Sequence, residues 1–154
     1  MVHAVATTTP LRDELTIAAS GAEVRRASEW LSDICQQRDM PTVQAQRLEI
    51  CLNEVLANIL VYGGSAALAA PIRLQLEVLC EAEAGEAQMT VSDSGFAFNP
   101  LQVTMPRRPS TLAEAPVGGL GLVLIRRCSD WLDYRHERGQ NHFTFGTRWK
   151  TGLT

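Results

Sequence analysis

The chain has 154 residues, 45% of them hydrophobic and 20% charged, the size and balance of one globular domain with one core. A formal net charge of -3 and the scattering of its basic pairs, Arg25-Arg26, Arg107-Arg108 and Arg126-Arg127, exclude the basic stripe that direct nucleic-acid binding requires. No apolar stretch reaches membrane-spanning length and the N-terminus lacks the basic start and apolar core of a secretory signal, so no membrane association is expected.

Cys35, Cys51, Cys80 and Cys128 form no CxxC pair, and several fall in helical apolar patterns. Buried thiols in a reducing cytoplasm are the expectation, rather than disulfides or a zinc site. Residues 1–10, with Thr7-Thr8-Thr9-Pro10, read as a flexible tail, and residues 11–150 as a single domain.

In chain order, residues 11–19 read as an edge strand with Leu15 and Ile17 on one face, ended by Ser20-Gly21. Val24, Ala27, Trp30, Leu31 and Ile34 then recur at helical spacing over residues 22–38, and Met40-Pro41 breaks the run. Thr42 is the expected N-cap of a longer helix. In it Leu48, Leu52, Val55, Leu56 and Ile59 form the core stripe, while Arg47, Glu54 and Asn58 share an adjoining face. Tyr62-Gly63-Gly64-Ser65 stops that helix, with Gly63 or Gly64 in a left-handed cap.

Two strands follow, residues 72–79 and 87–91, around a turn over residues 81–86. The stretch 99–117, with Pro100, Pro106, Pro109 and Pro116 and little periodicity, reads as a lid or binding loop. A short apolar helix over residues 120–128 and two strands, 131–137 and 142–149, separated by an Arg138-Gly139-Gln140 turn, complete the order.

Three short motifs carry the chemistry. Glu54 and Asn58 lie one helical turn apart, and every residue from Val55 to Val61 except Asn58 is apolar. Polar residues there are costly unless they line a cavity. Asp93-Ser94-Gly95 ends an apolar strand, and Gly118-Gly119-Leu120-Gly121-Leu122 opens a helix. Singly, each reads equally well as solvated helix polars, an ordinary turn or a loop end.

Together they suit ATP and magnesium. An Asn58 carbonyl oxygen is a hard ligand that does not repel a triphosphate. Glu54 can accept a proton from a group attacking the terminal phosphate. Asp93 can accept from an exocyclic amino group, and Gly95 clears room for the base. The glycines at the helix start let backbone amides approach phosphates.

The motifs Glu54-x-x-x-Asn58, Asp93-x-Gly95-x-x-Phe98-Asn99-Pro100 and Gly118-Gly119-x-Gly121-Leu122 resemble the asparagine box and two glycine boxes of the histidine-kinase-like (GHKL) ATPases. Small size and the Phe-Asn-Pro ending resemble, within that superfamily, the anti-sigma factor serine/threonine kinases of the RsbW and SpoIIAB type. The resemblance runs over residues 11–149. It implies a Bergerat-type two-layer α/β sandwich, with a mixed, mostly antiparallel sheet and helices on one face.

It also implies Glu54 as catalytic base, Asn58 as magnesium ligand, and Asp93, Gly95, Phe98, Asn99, Gly118, Gly119, Leu120, Gly121 and Leu122 around ATP. Asn141 falls near where a family threonine approaches the adenine. The sequence departs from the family at Tyr62, where a histidine is common, at Ala97, where many relatives have glycine, and before Gly118, where no arginine stands. Arg107 and Arg108 are the candidates for the γ-phosphate contact.

The implied reaction is transfer of the γ-phosphate to a STAS-domain anti-anti-sigma protein in partner switching, with a sigma factor and a homodimer as further partners. Two alternatives are a non-catalytic ATP/ADP-binding regulator that sequesters a partner, and a detached histidine-kinase catalytic domain. The last is disfavoured because no helix pair bearing a phosphoacceptor histidine precedes the fold. The first helix, with Trp30 beside Arg25-Arg26, is the expected recognition surface, although its apolar spacing serves the core equally well.

Overall fold

The computed structural model describes residues 9–99, 101 and 119–151. Strands β1 (Leu11–Ile17), β2 (Ile72–Cys80), β3 (Ala84–Asp93), β4 (Trp131–Glu137) and β5 (Gln140–Lys150) form one sheet in the order β1-β2-β3-β5-β4. All four pairings are antiparallel, which replaces the expected mixture. The helices are α1 (Gly21–Gln37), α2 (Thr42–Tyr62), α3 (Gly64–Ala69) and α4 (Gly119–Cys128). Among the described residues, no helix is long and apolar enough to cross a membrane.

Strand alternation divides the sheet into two faces. Leu74 pairs with Val91 and Val91 with Phe143, while Leu76 pairs with Met89 and Met89 with Phe145, so one face presents an apolar layer two residues deep across three strands. All six are buried, as are Ala27, Leu31 and Cys35 of α1 and Leu48, Cys51, Leu52, Val55, Leu56 and Ile59 of α2. The whole predicted stripe of α2 therefore lies in the core, with Cys51 added. The opposite face carries Thr16, Arg73, Ser92, His142 and Arg135 in one cross-strand row. That alternation gives a two-layer sandwich with its helices on the apolar face.

Several boundaries differ from the sequence reading. Pro41, not Thr42, holds the N-cap position of α2, with ψ of 136° and no side-chain cap bond. A proline costs nothing there, because its carbonyl still accepts from the Ala45 amide at 3.0 Å and its missing N–H is not needed. At the other end Gly63 stays right-handed and Gly64 takes the positive φ, 78°. The short α3 that follows was not anticipated. The β2–β3 turn is confined to residues 81–83, and the hairpin between β4 and β5 turns on Arg138 and Gly139, both at positive φ as a two-residue primed turn requires.

All four cysteines are free, but only Cys35 and Cys51 are buried; Cys80 is exposed at a strand end and Cys128 is half-buried. Burial pushes the Cys35 thiol up to about 11 and that of Cys51 to about 12, so both stay protonated. Trp30 is half-buried against the core. Arg25 pairs with Glu29, and Arg26 with Glu23.

Candidate functional site

Helix α2 carries one end of the site. Its buried stripe faces the sheet, and the adjacent face meets α4, where the Cys51 thiol donates to the Ile125 carbonyl at 3.7 Å. One turn further on, Glu54 and Asn58 are half-buried and face Gly121 of α4. A Cβ on Gly121 would stand 2.8 Å from Glu54 Oε2 and 3.6 Å from both terminal atoms of Asn58, so the glycine leaves the room those side chains occupy. Among the described residues neither Glu54 nor Asn58 makes a side-chain hydrogen bond.

Arg47 departs from the helical-wheel reading. It reaches Gln44 at 3.1 Å, Thr147 at 3.4 Å and Asp130 at 3.3 Å, fastening the start of α2 to β5 instead of joining Glu54. Burial raises the Asp130 carboxyl, but the Arg148 amide and the Arg47 guanidinium outweigh it and hold the group below its ordinary value.

The last turn of α2 leads to the second end. From Glu54 to Gly63 the helix rises roughly 14 Å. There the Gly63 carbonyl accepts from the Phe96 amide at 3.3 Å, and Gly95 packs so closely that a Cβ would lie 2.7 Å from that carbonyl oxygen and 3.0 Å from Ala67 Cβ. Phe96 covers Gly64 in the same way, its ring 2.4 Å from where a Cβ would stand. The two-glycine turn and α3 thus form a wall beside the Asp93-Ser94-Gly95 turn.

Asp93 ends β3 on the apolar face and is 6% exposed. Its Oδ1 accepts from the Gly95 amide at 2.8 Å, the local bond that favours aspartate in such turns, and from Asn141 Nδ2 at 3.2 Å. Both bonds fall on Oδ1, so among the described residues Oδ2 has no donor. Asn141 sits opposite Asp93 in the β3–β5 register and is itself buried. Its Nδ2 also donates to the carbonyls of Phe96 at 2.8 Å and Gly95 at 3.3 Å.

The structure therefore brings Glu54, Asn58 and Gly121 together at one end and Asp93, Gly95 and Asn141 at the other. Phe98 contributes through its backbone, donating to the Tyr134 hydroxyl at 3.1 Å and to Asn141 Oδ1 at 3.4 Å, while the residue as a whole is 56% exposed. Asn99 turns to its own loop and accepts from the Leu101 amide at 2.9 Å. Gly119 and Leu120 begin α4, and Leu122 packs partly against the core. Gly118 and the stretch 102–117, with Arg107 and Arg108, lie outside the described residues.

Tyr134 was missed. Its hydroxyl donates to Asn141 Oδ1, and the one signal in the sequence was its inward place in the alternation of β4 beside Leu132.

Comparison with known proteins identifies the family. A family model described as the histidine kinase-like ATPase domain matches residues 17–146. The serine/threonine-protein kinase BtrW of Bordetella bronchiseptica is 28% identical over 132 residues, covering 86% of this chain and 90% of that one. Among solved structures, one of the RsbU and RsbW domains of a Mycobacterium tuberculosis protein superposes with a TM-score of 0.66 at 13% identity, over 92% of this chain and 33% of that chain. The present chain thus spans a third of that solved chain's length. A structure of the SiaB–SiaC complex from Pseudomonas aeruginosa gives a TM-score of 0.55 at 14% identity, over 91% of each chain. Both likenesses concern the fold.

Proposed function

The chain belongs to the histidine kinase-like ATPase family, and from that premise we propose that it is an ATP-dependent serine/threonine protein kinase of a bacterial partner-switching system, acting on a STAS-domain protein. The observation that carries the reading is the pair of polar side chains, Glu54 and Asn58, without a side-chain hydrogen bond among the described residues, on the helix whose far end walls a buried Asp93 with one carboxylate oxygen that no described residue bonds. A relative named a serine/threonine-protein kinase, and fold likenesses to RsbW and SiaB, support it.

In this reading Asp93 Oδ2 accepts from the exocyclic amino group of adenine. A base with a carbonyl there would set two acceptors against each other, leaving a buried group unpaired at a cost of about 1–3 kcal/mol. The donor set fits magnesium delivered with the nucleotide: among the described residues no cluster of three or more His, Cys, Asp or Glu could hold a metal alone, and Asn58 supplies one hard amide oxygen. Bound there, the cation neutralises charge on the phosphates.

Glu54 accepts the proton of the attacking serine or threonine hydroxyl. The hydroxyl oxygen bonds to the γ-phosphorus as the bond from that phosphorus to the β–γ bridging oxygen breaks, and ADP leaves. Gly121 keeps Glu54 in place by having no side chain. Helix α1, with its exposed Arg25–Glu29 pair, is proposed as a surface for the partner, a sigma factor or a second copy.

Incubation with γ-labelled ATP and a STAS-domain protein tests the assignment. Label on a serine or threonine of that protein is expected. Bound ATP without any label in the partner would instead favour the non-catalytic, sequestering regulator.

A further inference from the structure

An asparagine amide offers an acceptor at one atom and two donors at the other, and turning it over exchanges them. Around Asn141 every neighbour demands one orientation. Nδ2 faces three acceptors, Asp93 Oδ1 at 3.2 Å, the Gly95 carbonyl at 3.3 Å and the Phe96 carbonyl at 2.8 Å. Oδ1 faces two donors, the Tyr134 hydroxyl and, more distantly at 3.4 Å, the Phe98 amide. The same hydroxyl accepts from the Phe98 amide at 3.1 Å. Tyr134 thereby joins the edge strand β4, the amide on β5 and the loop that leaves β3.

The consequence falls on Asp93. Held by Asn141 Nδ2 and by the Gly95 amide, its Oδ1 is occupied and the carboxylate cannot rotate without breaking both bonds. Among the described residues nothing bonds its Oδ2, the atom left to meet a ligand. A fixed acceptor discriminates strongly, because a site built to take an N–H rejects the analogue that presents a carbonyl.

We infer that Tyr134 is a positioning residue for base selection: through Asn141 it keeps Nδ2 turned onto Asp93 Oδ1 and the loop carbonyls, so that the carboxylate presents an acceptor and no amide donor faces the ligand, and so makes the site prefer a 6-aminopurine nucleotide over a 6-oxopurine one. The inference rests on the nucleotide-binding reading of this site. Without the hydroxyl, Asn141 Oδ1 keeps, among the described residues, only the longer Phe98 contact, and Phe98 loses a partner. The amide and the carboxylate can then turn, and Nδ2 becomes available to a carbonyl oxygen.

Calorimetric titration of the full chain with ATP and with GTP, for the parent, Tyr134→Phe and Asn141→Ala, reads the effect. The ratio of ATP to GTP affinity should fall about fivefold in Tyr134→Phe and about tenfold or more in Asn141→Ala, chiefly through weaker ATP binding. Thermal melting confirms that each variant is folded. If the buried Asn141→Ala variant does not fold, Tyr134→Phe decides the matter by itself. An unchanged ratio, including equal weakening of both nucleotides, would reduce Tyr134 to a packing residue and overturn the inference. A parent that prefers ATP alongside such variants leaves the nucleotide reading standing; a parent that binds neither nucleotide overturns both.

Discussion

The two ends of the site are built on different terms. At the proposed base-reading end, Asp93 Oδ1, both ends of the Asn141 amide, the Phe98 amide and the Tyr134 hydroxyl form one connected network next to the core. At the phosphate end Glu54 and Asn58 are half-buried and make no side-chain hydrogen bond among the described residues. A satisfied buried network rigidifies, whereas half-solvated groups can reorient toward a ligand. In the proposed reading, selection of the nucleotide thus belongs to a preformed cradle, and chemistry to groups that the nucleotide itself organises.

The largest effect should come from removing the base. Glu54→Gln keeps the shape and loses the proton acceptor, so labelled phosphate transfer should fall by about 10²–10⁴ while calorimetry finds ATP affinity close to the parent's. Loss of binding in step with transfer would erase the separation between the ends. Asp93→Asn should do the reverse, weakening ATP binding by about ten- to a hundredfold as the adenine acceptor is lost. Unchanged affinity in a folded variant would show that Asp93 does not read the base.

A pair of glycine substitutions sharpens the contrast. In Gly95→Ala the new methyl group meets the Gly63 backbone oxygen at 2.7 Å, and neither chain can yield cheaply. Denaturant unfolding should show a loss of about 1–3 kcal/mol. In Gly121→Ala the first atom met is Glu54 Oε2, the tip of a flexible side chain, so stability should change by less than about 1 kcal/mol while transfer falls because Glu54 is displaced. Equal stability losses in the two would mean that the phosphate end is as rigid as the base end.

The smallest effect concerns pH. His142 bonds Ser92 at 2.7 Å on the sheet face opposite the site, and burial, then Arg135, lowers its pKa, with Arg73 adding to this and Glu137 and Asp93 opposing it. The unfolded chain therefore takes up the proton first. The stability this group contributes is complete above the ordinary histidine value and is lost as pH falls through the lower folded one. Unfolding curves between about pH 5 and 8 should show His142→Gln less acid-sensitive than the parent; an identical pH dependence would remove His142 from the account.

The parts of the candidate site that depend on local periodicity were legible in the sequence. Glu54 and Asn58 stood out because they interrupt an apolar helix, and Asp93 and Gly95 because they end an apolar strand. The same logic placed all five sheet strands and the whole stripe of α2 in the core. It failed where the decisive partner is distant in sequence. Tyr134 matters through a neighbour seven residues away across a hairpin and a backbone amide 36 residues back, and no pattern within β4 encodes either. Arg47 fits the helical wheel with Glu54, yet a partner 83 residues on, Asp130, takes it. Helix α3 was hidden because its six residues begin at a positive-φ glycine that reads as a stop.

Hydrogen exchange at individual amides, with and without ATP, tests the central contrast most directly. The amides of Gly95 and Phe98, already bonded to Asp93 and Tyr134, should be protected before nucleotide is added. That of Gly121, in the first turn of α4 where helical N–H groups lack intrahelical partners, should exchange fast until ATP slows it. Fast exchange at Gly95 and Phe98 in the free protein, with protection appearing only on ATP binding, would contradict a preformed base-reading cradle.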